Sequence, residues 1–355
     1  MFKQDLEHKS RCRNVHVLAE ANSNDSTKES KVNTVRLGKS GVPVSALALG
    51  TDLFGTRIDR RTCFSLLDYF TERGGTFLDT ANFYASWIPG CKGGESETTL
   101  GEWMEARGNR ARITIATKLA FDYPGCPGGL SAGEIQRECE KSLRRLQTDR
   151  IDVYYSHRDD RETPLAETMQ AFHELVRAGK VRAIGASNLR AWRIAEANAI
   201  SSANGWTGYS AVEQRYTYLR PRHDADFGPQ LVIRDEMKDF AQSSGVTLIG
   251  YSVLLRGAYT RSDRELPVQF AGPDAEERLN ALRQVATEAG CTPNQAIIAW
   301  MRQSVPAVLP IVAASRKENL EENIAALDVV LSKEHMDCLN SAGNSDLKQG
   351  WIHST

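Results

Sequence analysis

A carboxylate, a phenol, an ammonium and an imidazole fall at comparable places in this chain. Asp79 closes the apolar run Thr76-Phe77-Leu78, and Tyr84 follows five residues later in "LDTANFY". Lys118 ends "ITIATK" and His157 ends "IDVYYSH". A phenol, with a reference pKa near about 10, is a poor acid at neutral pH unless something eases loss of its proton. An ammonium about 4 Å away does so, with an attraction of roughly 4 kcal/mol at an effective dielectric of about 20. At about 1.4 kcal/mol per pKa unit, that bounds the downward shift at roughly 3 units before desolvation takes some back. Asp79 can supply the counter-charge that keeps Lys118 ionised. A neutral His157 can donate a hydrogen bond that aligns a carbonyl oxygen against the phenol. Groups that protonate an oxygen, with neither nucleophile nor metal, suit carbonyl reduction. A hydride donor is then required, and a nicotinamide cofactor is implied.

Singly, each residue has a structural explanation: a cap, a loop aromatic, a surface lysine, a satisfied core histidine. The order of elements brings them together. Eight short runs rich in β-branched residues fall at 46–51, 76–81, 113–118, 151–157, 181–187, 210–216, 246–252 and 308–315. Stretches of helical period lie between them. In "SAGEIQRECEKSLRRLQ", Ile135, Cys139, Leu143 and Leu146 share one face; in "PLAETMQAFHELVRAGK", Pro164 suits a helix start and Gly179 a stop. "TVRLGKSGVPVSAL" reads as a hairpin turning at Lys39–Gly41. The expected fold is an α/β (β/α)8 TIM barrel with an N-terminal β-hairpin. An open doubly wound sheet is the runner-up, but the Gly-rich turn it usually carries is missing, since "LGTDLFGT" has the wrong spacing. Active sites of barrels lie at the C-terminal ends of the strands. There Asp79, Tyr84, Lys118 and His157 converge on one mouth.

The 355 residues fit one such domain, placed at 33–343. Residues 1–32, with "EANSNDSTKESK", read as a disordered arm, and 344–355 as a C-terminal tail. A net charge of −1 gives no electrostatic pointer to nucleic acid or a membrane surface. No apolar run approaches the roughly 18 residues of a spanning helix. Seven scattered cysteines without a C-x-x-C pair, and a start without an apolar signal core, suggest a reducing, cytoplasmic setting. The histidines form no metal-ligand cluster, so no metal is expected.

The segments "GGTFLDTANFYA", "ATK", "DVYYSH", "AIGASNL", "GYSVLLRG" and "LPIVAASRKENLEENIAAL" occur in an order and spacing that resemble the aldo-keto reductase superfamily over roughly residues 34–343. "GGESETTLGEWM" resembles the branch of bacterial broad-range reductases and potassium-channel beta subunits. The resemblance implies a reductase holding an extended nicotinamide cofactor on a barrel. By it, Tyr84 is the proton donor, Lys118 and Asp79 tune it, and His157 orients the carbonyl. Gly50 and Thr51 correspond to a cofactor-contacting turn, and Ser187 and Asn188 to the pair that holds the carboxamide. Tyr251 corresponds to the aromatic that stacks on the nicotinamide. Ser252, Leu254, Arg256 and Gly257 correspond to the loop around the pyrophosphate, with Val253 where proline is usual. Ser315, Arg316, Asn319, Glu322 and Asn323 fall in the adenosine-binding segment. A helix start with an arginine suits a 2′-phosphate, hence NADPH over NADH. Many relatives carry a carboxamide-contacting glutamine on strand six. Here Glu213 takes that place if Tyr216 sets the register, with Gln214 its neighbour; only one of the two can face the cofactor.

The substrate is a small carbonyl or alcohol. Trp87, Ile88 and Pro89 follow Tyr84; Arg158, Asp159 and Asp160 follow His157; "YTYLRPRHDADFG" adds Tyr216, Tyr218, Arg220, Arg222 and His223. Trp87, Arg158 and Tyr216 are the candidate substrate contacts, and so polar a mouth points to oxygenated, sugar-like carbonyls. Two rivals stay open: an NADPH-binding regulatory module with little turnover, and a metal-dependent barrel using Asp79, His157 and Glu213. Oligomeric state is open.

Overall fold

The structure is a computed structural model that describes residues 32–344. The arm and tail lie outside the described residues, apart from their boundary positions. Val32, assigned to the arm, is buried and donates its N–H to the Arg73 carbonyl. Asn344, assigned to the tail, accepts from Arg220 Nη2 at 2.7 Å.

Among the described residues, ten strands form two sheets. β1 (Thr34–Leu37) and β2 (Val42–Ser45) make the expected antiparallel hairpin, with Leu37 opposite Val42. β3 (Ala48–Gly50), β4 (Phe77–Asp79), β5 (Thr114–Leu119), β6 (Ile151–Ser156), β7 (Val181–Ser187), β8 (Tyr209–Arg215), β9 (Thr247–Tyr251) and β10 (Val308–Val312) follow the eight apolar runs. All pair in parallel, and β10 returns to β3, with Ile311 beside Ala48. That pairing closes the barrel and removes the open doubly wound alternative.

Helices α1 (Arg60–Glu72), α2 (Glu95–Arg107), α3 (Ala132–Leu146), α4 (Leu165–Arg177), α5 (Ala191–Ala203) and α6 (Asp235–Ser244) connect successive strands. α7 (Ala275–Glu288) and α8 (Pro293–Gln303) together bridge β9 to β10, and α9 (Lys317–Ala325) and α10 (Lys333–Ser341) follow. Ile135, Cys139, Leu143 and Leu146 of α3 are all buried, as their spacing requires. Ser131 caps α3 through its side chain. Pro164 is the residue just before α4, which needs no N–H there, and Gly179 (φ +75°) ends that connection.

The hairpin plugs the end of the barrel away from the candidate site. Leu37, Val42 and Val44 pack on the lumen residues Ala48, Phe77, Ala116, Val153, Ala183, Ala211, Ile249, Leu309 and Ile311. Each buried aliphatic side chain there contributes about 1.5–3 kcal/mol. Gly38 fixes the approach: its φ is +45°, its N–H donates to Thr247 Oγ1 at 2.8 Å, and an added Cβ would lie 2.2 Å from the Ser210 carbonyl oxygen. Gly38→Ala is therefore expected to destabilise the protein by more than about 1 kcal/mol, seen as a lowered Tm. An unchanged Tm would mean that the hairpin does not seat on β8.

Candidate active site

Along a strand, side chains alternate between the two faces. Phe77, Ala116, Val153, Ala211 and Ile249 point into the lumen. Two residues further on, the same strands turn Asp79, Lys118, Tyr155, Glu213 and Tyr251 inward, above that apolar floor. The same two-residue step beyond Tyr155 reaches His157, just past the end of β6. The polar mouth therefore lies at the C-terminal ends of the strands because the inward face of each strand changes from apolar to polar there.

Lys118 is the hub. Its Nζ donates to Asp79 Oδ1 (2.5 Å), Asp79 Oδ2 (2.7 Å), the Thr80 carbonyl (3.1 Å) and Tyr84 Oη (3.1 Å). Glu213 Oε1 lies 3.3 Å from the same nitrogen. Relative exposure is 0% for Lys118 and 2% for both Asp79 and Glu213, so the cluster is dry. Tyr84 Oη also lies 3.5 Å from Asp79 Oδ1, within donating range. Thr51 braces the carboxylate strand, donating to the Asp79 carbonyl at 2.8 Å, and Ser96 links Thr51 to Thr80.

The electrostatics follow. Lys118 is held well above the usual ammonium range: burial opposes the charge, but Asp79, Glu213 and Tyr84 together outweigh it. His157 is driven well below the usual histidine value by burial, then by Lys118 and Arg158, so its ring is neutral. Tyr84 departs from expectation. Burial pushes its phenol well above the ordinary tyrosine value, and Asp79 and Glu213 reinforce burial against the lowering effect of Lys118. The expected net lowering counted one cation and left out a second carboxylate. The phenol is thus fully protonated at neutral pH, and Lys118 is the group that makes loss of its proton accessible.

Around the phenol stands an aromatic wall. Phe83 stacks on Phe121 with centroids 4.7 Å apart, and His157 meets Phe83 and Phe121 edge-on at 5.1 and 4.9 Å. Trp87 lies 5.3 Å from Phe83 and is 49% exposed. Arg158 covers Phe121 at 4.9 Å.

The segments assigned to a cofactor ring the same mouth. Ser187 pairs with Glu213 across β7–β8. Asn188, in a left-handed conformation (φ +60°), is fully engaged by the protein: Nδ2 donates to the His157 carbonyl and to Ser187, and Oδ1 accepts from Leu231 N and Tyr251 Oη. Ser252, Leu255, Arg256 and Gly257 all have positive φ (58°, 45°, 56° and 90°). Three non-glycine residues held left-handed in one loop make a strained turn of a shape that can gather backbone N–H groups around an anion. Leu254 is half-buried within it. Gly50 lies under β10: a Cβ there would come 2.9 Å from Ile311. Ser315, Arg316 and Asn319 are exposed at the start of α9, where Arg316 precedes the first helical residue. Glu322 is turned to α8, accepting from Thr292 Oγ1 at 2.6 Å, and Asn323 is buried. Buried atoms without a partner, Glu213 Oε2 and His157 Nδ1, and the left-handed turn give the mouth polar capacity that suits a nicotinamide dinucleotide.

A sequence profile of the Aldo/keto reductase family matches residues 46–344. The chain belongs to that family. Norsolorinic acid reductase A of Aspergillus parasiticus is 33% identical over 328 residues, covering 87% of this chain and 80% of its own. The aryl-alcohol dehydrogenase (NADP+) of Phanerodontia chrysosporium is 31% identical, covering 84% and 83%. A crystallised thermostable aldo-keto reductase, in complex with the inhibitor epalrestat, matches with a TM-score of 0.70 and 29% identity, covering 87% of this chain and 99% of that one.

In this aldo-keto reductase the register settles one open choice. Ala211 faces the lumen, so Glu213 does too, while Gln214 points outward and donates to the Leu189 carbonyl at 2.6 Å. Gln214 is therefore removed from the candidate site. Tyr216 is also removed: it is buried, with its ring stacked on Trp300 of α8 at 5.5 Å. The polar loop that suggested sugar-like substrates is occupied elsewhere. Tyr218 donates to the Leu339 carbonyl, Arg220 binds Gly343 and Asn344, and Arg222 binds Asp224. Sequence reasoning passed over Phe83, Phe121 and Asp52, whose carboxyl is raised by burial and lies within electrostatic reach of Arg256, Asp79 and Lys118. Phe121 is three residues beyond Lys118, and Asp52 follows Thr51, so the strand-end rule that found the others applied to both.

The metal-dependent alternative loses its geometry, because the Lys118 ammonium sits where Asp79 and Glu213 would share a metal cation. Among the described residues, Cys126, Glu134 and Glu138 form a Cys/Glu cluster, but both acids have cationic partners in Arg137 and Lys141. No helix among the described residues is long and apolar enough to cross a membrane.

Proposed function

We propose that this aldo-keto reductase reduces aryl aldehydes or ketones to alcohols, or runs the reverse reaction, with NADPH. The observation that carries the proposal is the Lys118 ammonium binding both Asp79 oxygens and the Tyr84 hydroxyl beside a neutral His157. Tyr84 donates its proton to the carbonyl oxygen, and Lys118 stabilises the phenolate left behind. Asp79 keeps Lys118 charged and in place. The neutral imidazole of His157 donates to the same carbonyl oxygen and aligns it. A bound nicotinamide supplies the hydride. Ser187, Asn188, Glu213 and Tyr251 would hold its ring end, the Ser252–Gly257 turn its pyrophosphate, and Ser315–Asn323 its adenosine. The Phe83–Phe121–Trp87 wall offers flat apolar faces on which an aryl ring stacks. The name of the aryl-alcohol dehydrogenase (NADP+) relative points the same way, to an aryl substrate and NADP. Six described cysteines are free, which agrees with a cytoplasmic setting.

NADPH oxidation against a panel of aryl aldehydes, aryl ketones and aldoses tests the reading, with the aryl compounds expected to turn over fastest. Tight NADPH binding without turnover on any carbonyl would favour the regulatory-module alternative.

Cofactor choice gives a separate expectation. Arg316 is exposed at the entry to α9, free to pair with a 2′-phosphate. Arg316→Ala should raise the NADPH dissociation constant about tenfold and leave NADH nearly unchanged, read by fluorescence titration. Equal weakening of both cofactors would make Arg316 a structural residue.

A further inference from the structure

Two carboxylates share one buried ammonium. Asp79 uses both oxygens on Lys118, at 2.5 and 2.7 Å, whereas Glu213 makes one longer contact at 3.3 Å and leaves Oε2 buried without a partner. With both acids ionised, the cluster carries a net negative charge in a site closed to water, which is costly. A single proton on the pair removes that excess. Asp79 has the stronger claim on the ammonium, so the proton belongs on Glu213.

We propose that Glu213 is a positioning residue that holds this proton in the folded enzyme, and that losing it shifts Lys118 away from Tyr84 electrostatically and slows reduction. The inference rests on the reductase reading above. The other groups facing Glu213 are consistent with it. From β4 and β5 come Asp79 and Lys118, from the loop after β4 Tyr84, from β6 Tyr155, from β7 Ser187 and from β9 Tyr251; Lys118 is the cation among them. Tyr155 is buried with no partner for its hydroxyl and adds no charge. Burial first, and Asp79 second, push the Glu213 carboxyl up to about 8. When Glu213 ionises, the added negative charge opposes formation of the Tyr84 phenolate, the species that proton donation leaves behind.

The sign for stability is fixed by the same shift. Unfolded glutamate loses its proton near about pH 4.3, while folded Glu213 keeps it until about 8, so folding binds a proton in that window and stability falls as pH rises through it. Glu213→Gln keeps the neutral shape and cannot ionise. The Tm of E213Q relative to wild type should therefore climb between about pH 5 and about pH 8. With each enzyme's aryl-aldehyde reduction rate normalised to its own value near about pH 6, wild type should fall several-fold more than E213Q by about pH 9. A protonated-carboxyl infrared band present in wild type near about pH 6, lost at alkaline pH and missing from E213Q, assigns the proton to Glu213 rather than to Asp79, whose carboxyl burial also raises. Absence of that band, or a Tm difference that does not change with pH, overturns the proton on Glu213. Superimposable normalised rate profiles overturn its effect on Tyr84. Should no carbonyl turn over at all, the reductase reading fails, while the band and the Tm series still decide where the proton sits.

Discussion

Replacing Tyr84 with Phe is expected to lower carbonyl reduction by about 10²-fold or more, the size of a lost general acid, while NADPH still binds. The substitution removes one oxygen from a half-buried ring whose packing on Phe83 and Trp87 is otherwise kept. It deletes one of the hydrogen bonds of Lys118 and leaves both contacts to Asp79 in place. Folding should be little affected, so a rate loss with an unchanged Tm isolates the proton transfer. Steady-state rates with cofactor titration check this. Near-normal reduction would leave Tyr84 an ordinary loop aromatic.

Lys118→Met is the second large effect, and it differs in kind. The phenol remains, but its facing cation is gone while the Asp79 carboxylate still presses on it, so its proton becomes harder to release. Turnover should fall by about 10²-fold or more. Unlike Tyr84→Phe, this change also strips Asp79 of its counter-charge and Glu213 of its ammonium contact. Breaking a buried pair in this way costs about 3–5 kcal/mol, lessened when the orphaned acids take up protons. The variant should therefore melt earlier than wild type, and the deficit should shrink at acid pH. The double variant should be no slower than the worse single variant, because both changes abolish the same transfer. Multiplying losses would show that Lys118 acts on another step.

The barrel was legible because its signal is local and repeated. Eight apolar runs separated by helical stretches determine a parallel sheet, and all eight recur as strands displaced by at most a few residues. Asp79, Tyr84, Lys118 and His157 were legible for the same reason: a polar group at the end of an apolar strand stands out, and the fold dictates which end is the mouth.

What the sequence left open depended on direction and on company, which the chain order does not encode. Glu213 and Gln214 are adjacent in "VEQRY", and only the inward placement of Ala211 two residues earlier decides that Glu213 enters the lumen. Tyr216 and Tyr218 look like mouth residues in a list, yet Trp300, about 80 positions away, takes the first ring as a stacking partner. The Tyr84 phenol was expected to be lowered by one lysine. Its actual upward shift comes first from burial, then from Asp79, with an addition from Glu213 on a strand that lies 129 residues further along the chain. Residue type and period determined the scaffold and which four candidate residues converge at its mouth; the balance of charges at the centre was decided by tertiary packing, because burial and through-space neighbours set that balance and neither is a property of sequence spacing.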